Sequence, residues 1–299
     1  MKKILLFSSL KKPKEVINAT ITSWLELKTD EKFSFDILVH DDNYDSNSSH
    51  LITSFAENSK LSIANFEVTK KDSYEGDHRW NLEQIDRISE IKNKGIEYAL
   101  ANNYDFLFLV DADLVLHPKT LLSLLFAQKD FIFEIFWTQF YGESYYKPNA
   151  WDFHSWGYYN EETILQLSEP GIYRIGGGGA CSLLSKEILE KGLNFNRIQS
   201  LKYNGEDRHF CSRAQALGYE IFVDTHYPAY HIFHVSQVEE AEYWFQNGAD
   251  QNFFKQWLTE AWKQKVIQSF RIDRSFFGSL KRFQYKFRKD LGKLIRGKY

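Results

Sequence analysis

Short apolar runs alternate with segments of helical spacing through the first half of the chain. Apolar runs too short for a helix predict strands at residues 3–7, 35–40, 62–68, 105–110 and 131–137. Between them, apolar residues three or four positions apart predict helices that begin near Pro13, Trp80 and Pro118. Because such alternation is typical of a parallel sheet covered by helices, the pattern predicts an α/β fold.

Residues 138–180 depart from this pattern. Their many aromatic residues, including Trp151 and Trp156, stand among glycine, proline, asparagine and aspartate without a clean period. Two interpretations stay open. The segment is a long loop held down by its own rings, or it is an acceptor groove, since flat rings stack on the apolar faces of sugars. Beyond it, the pattern predicts a strand at 182–184 and a helix from about Lys186.

The composition limits the architecture. With 299 residues, 43% hydrophobic and 17% aromatic, the chain is long enough for one large core or two small ones. No run of about eighteen apolar residues occurs, so no membrane-spanning helix is expected. The apolar start ends by Leu10 and fits a first strand better than a signal peptide. Cys181 and Cys211 are too few for a disulfide framework or a zinc cage, so a reduced, cytoplasmic setting is expected.

The charge is unevenly distributed along the chain. Residues 270–299 carry +8 and the rest carry −11, giving a net charge of −3. The acidic body argues against nucleic acid as a partner. Residues 276–296 have one apolar and one basic face, which predicts a helix that either packs on the body or lies on an anionic membrane.

The simplest partition is one catalytic domain followed by a helical extension. The domain is expected at residues 1–236, with a nucleotide-binding half at about 1–116 and an acceptor-side half at about 117–236. The extension is expected at residues 237–299.

Two carboxylates follow the most apolar predicted strand. Asp111 and Asp113 come directly after residues 106–110, so they fall at the carboxyl edge of a sheet, where open α/β folds bind ligands. Both can approach one hard divalent cation, which prefers oxygen ligands and bridges to a diphosphate. The pair predicts metal-assisted chemistry on a nucleotide or a nucleotide-sugar. An acidic pair that merely closes the strand in a solvated turn is the alternative.

Three further groups of residues are candidates for chemistry. Four glycines at 176–179 indicate either a flexible turn or a close backbone approach, such as a slim sugar-subsite wall that includes Gly177 and Gly178. Glu206 and Asp207 precede a predicted helix, where carboxylates cap the N-terminus or serve as a held catalytic base. Three histidines lie within nine residues, and one of them could complete a metal site: His226, His231 and His234.

Taken together, these motifs resemble family 2 glycosyltransferases of the GT-A fold. In the family's order, the matching residues are Arg87 with Lys92-Asn93, Asp111-Ala112-Asp113, Gly205-Glu206-Asp207 and Tyr230-His231. The resemblance covers residues 1 to about 236 and implies a Rossmann-like, mostly parallel sheet flanked by helices, which the C-terminal helical extension follows. It also implies an inverting transferase that uses a nucleoside-diphosphate sugar and Mn²⁺ or Mg²⁺. The chain lacks the Gln/Arg-x-x-Arg-Trp pattern of processive synthases, so processive synthesis is not expected.

The resemblance implies roles by position. Asp113 would bind the metal directly, Asp111 would hold the ribose or a water on the metal, and His231 would be the third protein ligand. Asp207, beside Glu206, would be the base that deprotonates the acceptor. Residues expected to hold the nucleotide are Ser8, Ser9, Asp41, Asp42, Arg87, Asn93, Asp111 and Asp113. Residues expected to contact the sugar or acceptor are Trp151, Trp156, Gly177 and Gly178.

The partners follow from this interpretation. A UDP-sugar is the favoured donor and a GDP-sugar the second choice, while the acceptor is a glycan, a lipid-linked molecule or a protein. The expected location is the cytoplasm, with peripheral membrane contact if residues 276–296 bind lipid. Two other functions stay open: a non-catalytic sugar- or nucleotide-binding module of the same fold, and a sugar nucleotidyltransferase. The latter would use basic residues of the first loop, such as Lys11, Lys12 and Lys14. Retaining transfer is a further variant.

Overall fold

The computed structural model describes residues 1–70, 81–138, 146–153, 161–203, 205–250 and 252–254. The strands within these ranges are β1 (Lys2–Leu10), β2 (Phe33–Asp41), β3 (Leu61–Ala64), β4 (Phe106–Val110), β5 (Leu114–Val115), β6 (Phe131–Thr138), β7 (Lys147–Pro148), β8 (Ala150–Trp151), β9 (Ile172–Ile175), β10 (Gly177–Gly178), β11 (Cys181–Ser185) and β12 (Ile221–His231). The helices are α1 (Lys14–Leu25), α2 (Ser46–Asn58), α3 (Leu82–Ala101), α4 (Thr120–Phe126), α5 (Glu161–Leu167), α6 (Lys186–Glu190), α7 (Glu206–Ala216) and α8 (Val238–Gln246), with a 3₁₀ helix at Val235–Gln237.

One mixed sheet runs through the described residues. Its strands lie in the order β3-β2-β1-β4-β11-β6-β12-β5, with β7 beside β6 and β9 beside β12. Strands β3, β2, β1 and β4 are parallel neighbours, β6 and β12 are parallel, and β11 runs antiparallel between β4 and β6. Most strands therefore share one direction. This confirms the α/β class and the mostly parallel sheet expected from the sequence, and it is consistent with a Rossmann-like GT-A fold.

Helices cover both faces of the sheet, because successive side chains of a strand point to opposite faces. On the face that we call the α1 face, helices α1, α2 and α4 pack buried side chains against β1 and β4: Ile17, Trp24, Ile52, Leu121, Leu6 and Phe108. On the opposite face, which we call the α3 face, helices α3, α6 and α7 pack buried side chains against the same two strands. These side chains are Ile91, Ile188, Phe210, Phe7 and Leu107.

A glycine lets α3 lie close to β1. A Cβ atom at Gly95 would stand only 2.3 Å from the ring of Phe7, so a larger residue would push the helix off the strand. Lys92 is one turn earlier in α3. This close packing therefore brings Lys92 near the sheet edge where β1 and β4 end.

Strands β1, β2 and β4 all end at the same edge of the sheet. Their parallel register pairs Leu10 with Asp41 and Phe7 with Leu109. The loops that follow these strands therefore begin side by side at what we call the carboxyl edge. This is where open α/β sheets bind ligands.

Some element predictions change in the structure. The third strand is shorter than residues 62–68, since β3 ends at Ala64. The long helix begins at Leu82 rather than near Trp80, because Asn81 and Gln84 form a capping box. Residues 138–180 are not one long loop, since their described parts contain β7, β8, α5, β9 and β10. These strands are too short to show a period, and pairing with other strands stabilises them.

The C-terminal extension is described only as far as residue 254. In α8, the ring of Trp244 packs 5.9 Å from that of Tyr230. The predicted basic helix at 276–296 lies outside the described residues, so its packing or membrane contact and the domain boundaries stay predictions. Over the ranges that the structure describes, no helix has the length and apolar character to cross a membrane.

A buried carboxyl pair lies between β6 and β12. Glu134 and Asp224 are partners in the parallel register, and both are fully buried. Asp224 accepts hydrogen bonds from Ser123 Oγ at 2.5 Å and from the backbone N–H of His226 at 2.9 Å. By contrast, Glu134 Oε2 has no hydrogen-bond partner among the described residues. Burial, and then the charge of Asp224, raises the pKa of Glu134 well above its usual value, so the folded chain holds this proton to a higher pH than the unfolded chain does.

The free energy of unfolding should therefore fall as the pH rises. The folded chain keeps the Glu134 proton, whereas the unfolded chain releases it above its ordinary pKa of 4.5. Rising pH then favours unfolding by up to about 1.4 kcal/mol per pH unit. Glu134→Gln has no proton to release, so in urea titrations between about pH 5 and pH 8 its stability should fall less steeply than that of the wild type.

Glu97→Gln is the matched control, because Glu97 is exposed on α3. Its stability curve should keep the slope of the wild type. Parallel curves for the wild type and Glu134→Gln would contradict the assignment of a protonated Glu134.

Candidate active site

The Asp111–Asp113 segment is fixed by backbone hydrogen bonds on both sides. The N–H of Asp111 donates to the carbonyl of Ala180 at 2.8 Å, and the carbonyl of Asp113 accepts from the N–H of Ile232 at 2.9 Å. Between them, the side chain of Ala112 is buried on the α1 face. The two carboxylates therefore leave the end of β4 in set positions.

Asp113 is paired with a lysine and a histidine. Its Oδ2 atom lies 2.8 Å from Lys12 Nζ and 3.5 Å from His231 Nε2. The other ring nitrogen of His231, Nδ1, is 2.7 Å from Thr138 Oγ1, which fixes the orientation of the ring. Burial alone would raise the pKa of Asp113, but Lys12 and then His231 outweigh it and hold this pKa well below its usual value. Asp113 is therefore ionised.

Lys12 is held in place through its backbone. Its N–H donates to Asn43 Oδ1 at 2.9 Å, and its carbonyl accepts from Ser48 Oγ at 3.1 Å. Asn43 also donates to the carbonyl of Leu10 at 2.9 Å. The loop after β1 is thus tied to the loop after β2, with Lys12 at the junction.

A second lysine joins three carboxylates. Lys92 Nζ lies 2.8 Å from Glu206 Oε1, 3.3 Å from Asp111 Oδ1 and 3.6 Å from Asp207 Oδ1. We call these four residues the Lys92 cluster. The side chains of Lys92 and Glu206 are 7% and 3% exposed, whereas those of Asp111 and Asp207 keep 32% and 30% of their surface exposed. A ligand can therefore reach the two aspartates of the cluster but not Glu206.

The Lys92 cluster changes the acidity of its members. Burial lowers the pKa of Lys92, but the three carboxylates outweigh it and hold this pKa well above its usual value. Burial raises the pKa of Asp207 to about 8, with Lys92 opposing the shift and Glu206 adding to it. The pKa of Asp111 is also raised by burial. Asp207 thus binds and releases a proton near neutral pH.

Glycines make room for Asp207 and Trp151. A Cβ at Gly179 would lie 2.3 Å from Asp207 Oδ2, and one at Gly177 would lie 2.4 Å from the Trp151 ring. Gly177 and Gly178 form β10, which pairs with β8. Gly177 and Gly179 therefore have close neighbours that a side chain would displace, whereas a role of Gly177 and Gly178 in a sugar-subsite wall stays a prediction.

The residues predicted to hold the nucleotide are spread over the carboxyl edge. Asp42 accepts from Arg87 Nε at 3.1 Å with each carboxylate oxygen, and Asp41 accepts from Asn43 Nδ2 at 2.7 Å. Ser9 is half-buried on the α3 face, at the end of β1.

Two of the residues predicted to hold the nucleotide lie away from this group, and their role stays a prediction. Ser8 points to the α1 face with only 2% exposure, because neighbouring strand positions alternate, so it does not reach the edge. Asn93 instead joins α3 to the loop before α7, since it accepts from the N–H of Phe195 at 2.8 Å and donates to Asn196 at 2.9 Å.

The predicted three-ligand metal site is not assembled in the described residues, which contain no group of three or more acidic, histidine or cysteine side chains able to hold one ion. Asp113 and His231 meet, but Asp111 turns to Lys92, and Asp113 already binds Lys12. Of the other candidate histidines, His226 contacts Asp224 at 2.6 Å. His234 caps the 3₁₀ helix that follows β12.

The predicted sugar contacts are only partly described. Trp151 packs on Gly177, and the guanidinium of Arg208 lies 4.8 Å from the centroid of its ring. These contacts account for Trp151 by packing, so stacking on a sugar stays a prediction. Trp156 lies outside the described residues.

The main residues that the sequence did not mark as site residues are the two lysines. Lys92 stands next to Asn93 in the helix segment of the family resemblance. The signal available in the sequence was its position on the face of the predicted helix that carries the apolar residues. Lys12 belongs to the basic run at residues 11–14. That run was assigned only to the nucleotidyltransferase alternative.

The comparisons with known proteins give structural likenesses only. No known protein-family model and no curated protein matches the chain. The crystal structure of S. aureus TarS 1–349 is similar over 77% of this chain and 60% of that chain, with 16% identity and a TM-score of 0.48. This chain thus spans about three fifths of that protein fragment. The crystal structure of S. aureus TarS 1–349 in complex with UDP is similar over the same shares of the two chains, with 16% identity and a TM-score of 0.47.

A second similar structure is that of A197 from STIV. It matches over 77% of this chain and 85% of that chain, with 12% identity and a TM-score of 0.41. At such identities, and with TM-scores below 0.5, these likenesses carry no argument about the activity of this chain.

The Lys92–Glu206 ion pair should contribute strongly to stability. Lys92→Met keeps the length of the side chain but leaves Glu206 buried without its cation, and breaking a buried pair from one side costs about 3–5 kcal/mol. We expect a loss of about 3 kcal/mol in the free energy of unfolding, measured in urea. The double variant Lys92→Met/Glu206→Gln should recover part of this loss, because no unpaired charge stays buried.

Lys94→Met is the control, since Lys94 makes an exposed ion pair with Glu97 on the same helix. Its effect should stay within about 0.5 kcal/mol. Equal losses at Lys92 and Lys94 would show that the buried pair adds nothing to stability.

Proposed function

We propose that this protein transfers a sugar from a nucleoside-diphosphate sugar to an acceptor hydroxyl, with inversion at the anomeric carbon. The observation that carries the proposal is the Lys92 cluster, in which one buried ammonium joins Asp111 at the carboxyl edge to Asp207 on α7. A donor at the edge and a base on α7 would thus share one site. The resemblance of the motifs to family 2 glycosyltransferases supports the same function.

The donor would bind at the carboxyl edge. Lys12 offers a positive charge to a diphosphate, and the Asp42–Arg87 pair and Asp41 offer polar groups to a nucleoside. Strands β1, β2 and β4 all end there, which is the usual place for nucleotides in open α/β sheets. A UDP-sugar is the first donor to test.

Asp207 would act as the general base. The acceptor oxygen bonds to the anomeric carbon, and the bond from that carbon to the diphosphate oxygen breaks. The bonding pair leaves with the diphosphate, and the hydroxyl proton passes to Asp207. With a pKa of about 8, Asp207 is a strong base once it is ionised, and its ionised fraction rises steeply between about pH 7 and pH 9. Such a base contributes roughly 10²–10⁴-fold to the rate.

A metal ion has a limited place in this proposal. Where a divalent cation binds, it stabilises the leaving diphosphate as a Lewis acid. Here Asp113 and His231 are the two candidate metal ligands that lie nearest each other, yet the ammonium of Lys12 already lies against the Asp113 carboxylate. These candidate metal ligands therefore do not fit a divalent ion, and no step of the proposed mechanism requires one.

A sugar nucleotidyltransferase is the second candidate, because Lys12 is the basic first-loop residue that such an enzyme needs. In that reaction the attacking sugar phosphate is already ionised, so no base is needed at Asp207. A non-catalytic binding module likewise needs no base. The role of Asp207 therefore separates sugar transfer from both alternatives.

Asp207→Asn should abolish most turnover while keeping donor binding. The variant has nearly the same shape but removes the base, so we expect a rate loss of about 10²–10⁴-fold. The assay measures nucleoside diphosphate released from UDP-, GDP-, CDP- and TDP-sugars, with water in place of the acceptor. Binding of the matching nucleoside diphosphate, measured by calorimetry, should change by less than about threefold.

Asp130→Asn serves as the control, because Asp130 is exposed at the opposite end of β6. Its turnover should equal that of the wild type. Full activity of Asp207→Asn would refute the base assignment, and no release from any of the four sugars would refute the donor class.

A further inference from the structure

We propose that Lys12, rather than a divalent cation, supplies the positive charge that binds the diphosphate of the donor. This inference rests on the proposed function, since it concerns the donor side of the same site. It departs from the metal-dependent chemistry that the sequence resemblance implies.

The first support is the position of the ammonium. Lys12 Nζ lies 2.8 Å from Asp113 Oδ2, and the side chains of Lys12 and Asp113 are only 18% and 10% exposed. A divalent ion on the same carboxylate would face the ammonium at close range, and like charges repel strongly in a half-buried site. To bind, it would have to break an ion pair that the fold already provides.

The second support is the state of the other predicted ligand. Asp111 Oδ1 lies 3.3 Å from Lys92 Nζ, so each aspartate of the Asp-x-Asp motif lies beside an ammonium, and Asp111 shares its ammonium with Glu206 and Asp207. Hard cations such as Mg²⁺ and Mn²⁺ bind through several oxygen ligands whose negative charge is available to the ion. Two aspartates that each face an ammonium are a poor donor set for such an ion.

The third support is that hydrogen bonds fix the backbone of Lys12 as well as its side chain. Asn43 and Ser48 bind its backbone N–H and carbonyl at 2.9 and 3.1 Å. Its neighbours face elsewhere, because the Lys11 ammonium lies 4.5 Å from the Tyr44 ring centroid and Lys14 is exposed on α1. Of the three lysines between residues 11 and 14, Lys12 is the one whose ammonium lies against the Asp113 carboxylate.

The chemistry of the ammonium suits the leaving group. Its three N–H donors allow Lys12 to keep the contact with Asp113 while donating to a phosphate oxygen. As the bond to the sugar breaks, negative charge gathers on the diphosphate, and a fixed ammonium stabilises that charge. Asp113 would then position Lys12 instead of binding a metal.

The test measures binding of UDP, GDP, CDP and TDP to the full chain by calorimetry, once with EDTA and once with Mn²⁺. We expect the wild type to bind one of them with affinities that agree within about twofold in the two buffers. Lys12→Met should weaken binding at least about tenfold, or about 1.4 kcal/mol. Lys12→Arg, which keeps the charge, should retain more affinity than Lys12→Met.

Lys14→Met is the matched control, because it removes one exposed charge two residues away, and its affinity should equal that of the wild type. Circular dichroism checks the fold of each variant, with Lys12→Gln as a substitute if Lys12→Met does not fold. Wild-type binding that disappears in EDTA overturns the inference but leaves the proposed function standing. EDTA-resistant binding that the folded Lys12 variant keeps within about twofold overturns it as well. If none of the four nucleotides binds in either buffer, both the inference and the proposed function fall.

Discussion

The contact between Lys92 and its three carboxylates is the interaction on which the site depends. These carboxylates are 19, 114 and 115 positions away from Lys92 in the chain, so the contact forms only when α3, the end of β4 and the start of α7 are all in place. A buried ammonium without these partners would be strongly unfavourable, and so would a buried Glu206 without the ammonium. The same ion pair that stabilises the fold therefore fixes the distance between the carboxyl edge and Asp207.

Close packing of backbones makes this contact geometrically feasible. Gly95 allows α3 to lie against β1, and Gly179 leaves the space that the Asp207 carboxylate fills. The parallel direction of β1, β2 and β4 then brings their polar loops to one edge. The site is thus a product of sheet direction and of two positions without a side chain.

Much of the fold was predictable because its signals are local. The apolar run before Asp111, the helix that begins at Glu206 and the strands β1, β2 and β6 all appear close to their predicted positions. The partners of charged residues were not predictable in this way. Nothing in the spacing of Lys92 or Lys12 indicates which carboxylate each will meet, because tertiary packing decides it. The burial of Ser8 was not predictable for a related reason, since being near a strand end does not tell which face of the sheet a side chain points to.

The hydrogen bonds from Asn43 and Ser48 to the backbone of Lys12 have a consequence for the proposed binding of a diphosphate. A basic loop that becomes ordered only around its ligand loses conformational entropy at that moment, which weakens binding and slows association. Here the neighbouring loop has already immobilised the charged residue while the protein folds. Under the proposed function, an incoming diphosphate would therefore meet a lysine whose backbone is already in place, so its binding would cost less conformational entropy.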